Sequence, residues 1–179
     1  MNNENNTKLA KDKLEFVSSI ITNKEGNVLL LKRLDTLKLD PGKYDLCSGH
    51  MKTMEVPMQS MIRELKEETG ICIEQIKRME KLGDIPVPHE KFLDKMCHMY
   101  YIEIDISEKD LNRMIKEVEE PEMQKAKYVK DINELRKIQK STDLMRTIYT
   151  EDMEKIFGIV EKKINERKEL GKNICKEER

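Results

Sequence analysis

The sequence predicts an α+β domain, and three stretches predict it. Near the start, the apolar and β-branched runs Leu14 to Thr22 and Val28 to Arg33 flank the turn residues Asn23-Lys24-Glu25-Gly26-Asn27, which is hairpin chemistry. In the middle, Met58, Met61, Ile62 and Leu65 recur at three- and four-residue spacing within Pro57 to Thr69, which is helical. At the end, Leu144, Ile148, Ile156, Phe157, Val160 and Ile164 trace one face of a long closing helix. The 179 residues amount to one domain at about 100–200 residues each, and no repeat or linker divides them. We place the domain at residues 13–164, between a polar, Asn-rich, flexible N-terminus, 1–12, and a charged C-terminal tail, 165–179.

The remaining elements follow in order. Leu34 to Lys43 is a loop whose Asp40-Pro41-Gly42 turns the chain into the short segment Tyr44 to Cys47. Pro57 suits the first turn of the middle helix and Gly70 its C′ position, where a left-handed backbone is wanted. Ile71 to Val87 and Lys95 to Ile106 read as extended, Ser107 to Val118 as helical. Lys125 to Lys130 reads as one more strand before a short helix at Ile132 to Leu135.

Composition removes several classes of function. Charged residues make up 39% and hydrophobic ones 37%, so the surface is heavily charged and the core modest. Against 35 Asp and Glu stand 34 Lys and Arg, so no overall field draws the chain to nucleic acid or anionic membrane, and no specific nucleic acid is expected. No apolar run approaches the ~18 residues of a membrane span. Met1 to Asn6 lacks the basic and apolar regions of a secretory leader, and Cys47, Cys72, Cys97 and Cys175 are isolated, as expected of reduced thiols in the cytoplasm. No phosphate-binding GxxxxGK[ST], GxSxG elbow or HExxH helix occurs.

One constellation carries chemistry. Glu64, Glu67 and Glu68 stand at i, i+3 and i+4, so their carboxylates share a helical face, with Met58, Ile62 and Leu65 on the other side to pack on a sheet. Three such charges repel unless a cation sits among them, and hard oxygen donors suit Mg²⁺ or Mn²⁺. Gly49 lets backbone approach a metal or phosphate closely. Arg63, beside so many carboxylates, most simply pairs with one, Glu55, and braces the loop onto the helix.

Gly49, five residues, Glu55, seven residues, then Arg63-Glu64-Leu65-Lys66-Glu67-Glu68-Thr69-Gly70-Ile71 matches the Nudix box at all nine specified positions. The chain therefore resembles the Nudix (MutT-like) hydrolases, and the order of elements around the box resembles them over most of its length. The resemblance implies a mixed β-sheet sandwiched between helices (α/β/α). It implies metal ligands at Glu64, Glu67, Glu68 and the Gly49 carbonyl, and a small-molecule diphosphate substrate. It also implies water attack on a diphosphate linkage of a nucleoside diphosphate derivative, helped by a glutamate of the box, Glu64 or Glu67, or of a later loop. In the acidic stretch Glu117 to Glu122 the first choice is Glu122. Lys32 and Arg33, ending a strand near the box, are candidates for substrate phosphate contacts.

Two alternatives stand beside this reading. One is a catalytically silent module that binds nucleotide. The other follows from Ser48-Gly49-His50, which resembles the lead-in of isopentenyl-diphosphate isomerase-like relatives. Cys47 lies one position too early for that enzyme, its upstream histidines are missing, and its degenerate box is intact here. Specificity is expected in the loops Leu34 to Lys43 and Pro86 to Asp94, and a homodimer is left open. A zinc site drawn from Cys47, His50, Cys97 and His98 lacks the spacing of a finger.

Overall fold

Strand β1 (Phe16–Thr22) is buried at every position, so both of its faces must be covered. It runs parallel to β6 (Met96–Ile104), from Phe16 opposite Cys97 to Thr22 opposite Glu103, and antiparallel to β4 (Cys47–His50). The computed structural model describes residues 15–89, 95–141, 144–146 and 150–177, with side chains described through residue 169.

The hairpin read from the sequence forms at its turn and then parts. Asn23 Oδ1 accepts the backbone N–H groups of Glu25 and Asn27, and Gly26 takes the left-handed conformation. Beyond the pair Thr22 and Val28, β2 (Val28–Arg33) leaves β1 and pairs antiparallel with β3 (Tyr44–Asp45) and β7 (Met123–Val129). On the other side β5 (Ile76–Pro86) pairs antiparallel with β6, completing a mixed seven-stranded sheet.

Alternation along the strands divides the core in two. Ile20, Leu30, Leu46 and Tyr101 face α3 (Ile132–Gln139) and α4 (Glu151–Glu177), whose Met153, Phe157 and Val160 are fully buried. Val17, Ile21, Leu31 and Cys47 face α1 (Pro57–Thr69) and α2 (Glu108–Lys116) through Met61, Leu65, Leu111 and Ile115. Helices thus cover both faces of the sheet, the α/β/α sandwich that the sequence implied. No helix among the described residues is long and apolar enough to cross a membrane.

Two sequence readings need correction. Met58 does not join the buried face of α1. Packing begins at Ser60 and Met61, one turn further on, and Met58 is 49% exposed. The closing helix starts at Glu151, so Leu144 is an exposed turn residue ahead of it, and Ile148 lies outside the described residues. Residues 1–12 and the 90–94 part of the expected specificity loop also lie outside them. The helical backbone of α4 continues across residue 165 to Glu177. Arg167 donates from it to the carbonyls of Asn23 and Lys24 at 2.6 Å each.

Candidate active site

Helix α1 is aimed by its two ends. At the start, Gln59 Oε1 accepts the Val56 N–H, and at the finish Gly70, with φ of 77°, turns the chain while its N–H reaches Lys66 O. Burial of Met61 and Leu65 against the sheet then presents Glu64 and Glu68 to β4. At Gly49 the fit is so close that a β-carbon would overlap the Glu64 carboxylate. Only glycine leaves that cradle open.

Arg63 gathers the carboxylates. Its Nε and Nη2 donate to the two oxygens of Glu55 at 2.8 Å each, a bidentate pair. Nη1 donates to Glu64 at 2.6 Å and to Glu67 at 2.8 Å, and Nη2 also reaches the His50 carbonyl at 2.8 Å. Glu55 further accepts the Ser60 hydroxyl at 2.6 Å and the Lys52 N–H at 3.0 Å. Arg63 first, then Ser60, holds the Glu55 carboxyl well below the usual carboxylate range.

Burial acts the other way on the inner glutamates. It pushes Glu64 up, against the Arg63 hydrogen bond, and pushes Glu68, 6% exposed, up strongly. Glu68 accepts the Ser48 N–H at 3.1 Å, and burial together with the Glu68 charge pushes the Cys47 thiol up as well. A thiol held protonated in this way is a poor nucleophile, which counts against cysteine chemistry beside Gly49.

Arg63 and the glutamates of its own helix line a cleft of about 1310 Å³, with Glu55 behind them outside the lining. Glu64, Glu67, Glu68 and Gly49 form one side of it, and Arg33, Glu122 and Arg146 belong to the same lining. Arg33, 5% exposed, lies 3.6 Å from Glu122, whose backbone carbonyl accepts the Leu34 N–H at 2.9 Å. Of the two cations expected to meet phosphate, the lining includes Arg33 and not Lys32, whose ammonium lies 3.9 Å from Asp35. The Cys and His quartet is not assembled, because His98 is held between Asp84 at 2.5 Å and Glu15 at 3.1 Å.

Three cleft residues escaped sequence reasoning. Lys52 pairs with Glu67 at 3.2 Å. Asp45, 1% exposed, accepts the Leu46 N–H at 2.9 Å and Arg146 Nη1 at 2.9 Å. A buried aspartate demands a cation, but nothing in the sequence points from residue 45 to one 101 positions away. Burial foremost, then the Arg146 charge, pulls the His50 imidazole down, with Glu122 opposing.

Among the described residues no three His, Cys, Asp or Glu side chains converge as a finished metal cage. The geometry shows why: the Arg63 guanidinium joins Glu64 and Glu67, and Glu68 is turned to Ser48. The donors still fit a hard cation. They are carboxylates on one helix, one pressed into a glycine cradle, one buried and one half exposed, and oxygen-only sets of this kind suit Mg²⁺ or Mn²⁺.

Comparisons with known proteins place the chain in a family. A family model for the NUDIX domain matches residues 15–150. An 8-oxo-dGTP diphosphatase of Proteus vulgaris is 32% identical over 81 residues, 44% of this chain and 70% of that protein. DR0079 from Deinococcus radiodurans shares the fold with a TM-score of 0.57 at 14% identity, over 80% of each chain. The NUDIX domain of Shewanella oneidensis NrtR, solved with ADP ribose, shares it at 0.54 and 15% identity, over 75% of this chain and 82% of that one. With its box intact in sequence and folded around one cleft, the chain belongs to the Nudix family and is a pyrophosphohydrolase.

Proposed function

We propose that the enzyme hydrolyses a diphosphate linkage in a nucleoside diphosphate derivative, using Mg²⁺ or Mn²⁺ held by Glu64, Glu67, Glu68 and the Gly49 carbonyl. The observation that carries this reading is the seat of Glu64 against Gly49, with Arg63 tying Glu55, Glu64 and Glu67 into one rigid set. The relatives support the substrate class, one being named for 8-oxo-dGTP and another solved with ADP ribose. When bound, the cation neutralises charge that develops on phosphate oxygens.

The chain's own residues do the rest. Arg63 and Glu55 keep the acidic face from shifting, and Arg33 meets phosphate from another part of the cleft wall. Water attack at phosphorus releases a proton, and a carboxylate must accept it. Glu67 and Glu122 expose 49% and 61% of their side chains, so we assign them the proton, and give Glu64, 12% exposed, the holding of the cation. Cys47, Cys72 and Cys97 are free thiols, which suits a cytoplasmic enzyme.

The test is a panel of nucleoside triphosphates, dinucleotides and nucleotide sugars with Mg²⁺, products identified by mass, and Glu67→Gln alongside. The variant should fold normally and lose about 10²- to 10⁴-fold in turnover, the usual contribution of a positioned acid or base. Full activity in Glu67→Gln would sink the assignment. Silence of the wild type across the panel, with Mg²⁺ bound, would favour a nucleotide-binding module without catalysis.

A further inference from the structure

We infer that Arg146 is a phosphate-binding residue of this cleft, taking oxygens of the substrate's diphosphate chain with its guanidinium while Asp45 acts as its positioning residue. The inference rests on the reading of the cleft as a pyrophosphohydrolase site, and it adds a determinant of substrate affinity from outside the box.

Arg146 lies between α3 and α4 in the chain, and its own backbone is tied down. Its N–H donates to Tyr44 O at 2.9 Å, and Tyr44 N–H donates to Leu144 O at 2.7 Å, so the residue is laced to β3. The side chain lines the cleft and is 17% exposed. Nη1 holds Asp45 at 2.9 Å. Nε is 3.7 Å from Asp40, too far for a hydrogen bond, and makes none among the described residues. Asp40 is already shared by Lys43 at 3.1 Å and His89 at 3.2 Å.

A guanidinium serving only as a brace would close a two-pronged pair, as Arg63 does with Glu55. Arg146 does not. It keeps a charge on the wall of a cleft whose other lining includes Glu64, Glu67, Glu68 and Glu122. An anionic substrate entering so acidic a space needs cations there; Arg63 and Lys52 are committed to the glutamates, so Arg146 adds a second arginine to Arg33, on a lining that also includes Lys66. The forked donors of arginine match phosphate oxygens, and a charge partly withdrawn from water meets them strongly.

The experiment takes Arg146→Gln and Arg146→Lys in the full chain. It measures kcat and KM on the substrate the wild type cleaves, binding of inorganic pyrophosphate by calorimetry, and the melting temperature. Arg146→Gln should raise KM and the pyrophosphate Kd about 10- to 100-fold, the size of one charge-assisted hydrogen bond. kcat should change far less, and Arg146→Lys should fall between the two. Should Arg146→Gln fail to fold, the lysine variant decides alone, by a KM several-fold above wild type. A KM and pyrophosphate Kd within about twofold of wild type in the folded variant overturns the inference while leaving the hydrolase reading intact. A wild type that cleaves nothing yet binds pyrophosphate through Arg146 leaves the phosphate site standing and removes the hydrolase reading instead.

Discussion

Helices α1 and α4 are written in nearly the same residues and use them differently. In α1, Arg63-Glu64-Leu65-Lys66-Glu67-Glu68 forms a closed set, where Arg63 reaches three glutamates and Glu64 and Glu68 are turned inward. In α4, Glu161 to Lys168 is as rich in charge, but its charges go to separate partners, Glu161 to Arg136 at 3.2 Å and Arg167 to Glu103 at 3.1 Å, while Lys162 and Glu166 meet only at 3.9 Å with most of each side chain in water. What separates them is the surface opposite. Above α1 passes a strand with a glycine at the contact, so a carboxylate can press against backbone. The lesson is that charge density does not make a site, whereas a strand that yields space to the charges does.

The contrast can be tested at its strongest point first. Gly49→Ala places a methyl group where the Glu64 carboxylate lies and should cut kcat/KM by about 10²-fold or more, as a displacement of ~1 Å does in a preorganised site. Steady-state kinetics and Mg²⁺ titration check it, and wild-type values in both would show that the cradle is idle. Next, Arg63→Ala leaves Glu55, Glu64 and Glu67 without their shared cation. It should lower stability by about 1–3 kcal/mol, less than for a fully buried pair because the set is partly solvated. At ~2–4 °C per kcal/mol for a chain of this size, calorimetry should see a fall of several degrees.

Acid should find the same set. The Glu55 carboxyl is held below its ordinary value of 4.5 by Arg63 and then Ser60, so the folded state binds its proton more weakly than the unfolded chain. Its contribution is therefore complete above pH 4.5 and drains away as pH falls towards the lower folded value. Glu55→Gln should flatten the acid limb of the stability curve below that pH and lower stability at pH 7. A limb unchanged in shape would assign acid sensitivity to other groups. The smallest effect belongs to α4, where Lys162→Gln should shift stability by no more than about 0.5 kcal/mol in urea unfolding.

The site was legible in sequence to the extent that it is local. Glu64, Glu67 and Glu68 are neighbours on one helix, and the spacing back to Gly49 and Glu55 spans a single loop, so the pattern survives in one dimension. Arg146 and Asp45 do not, because their pairing is made by the meeting of two distant segments on the sheet. Met58 misled for a related reason. Its apolar character fits the helical period, but how far the sheet extends beneath the first turn of α1 is a tertiary fact. The hairpin turn was plain from Asn23 to Asn27, while the parting of its strands was not, since β4, β6 and β7 compete for the edges that a simple hairpin would pair.

That parting governs how the molecule comes into being. β1 emerges early in synthesis, yet its neighbours are supplied by residues 47–50 and 97–103, so its edges stay unsatisfied until more than half the chain exists. An interrupted chain ending before β6 would carry the whole box on a sheet whose first strand still lacks its parallel neighbour. Its open strand edges would be a target for aggregation or degradation. Resistance to proteolysis should therefore rise when Met96–Ile104 closes on the first strand, and activity only after Glu122 and Arg146 have joined the cleft.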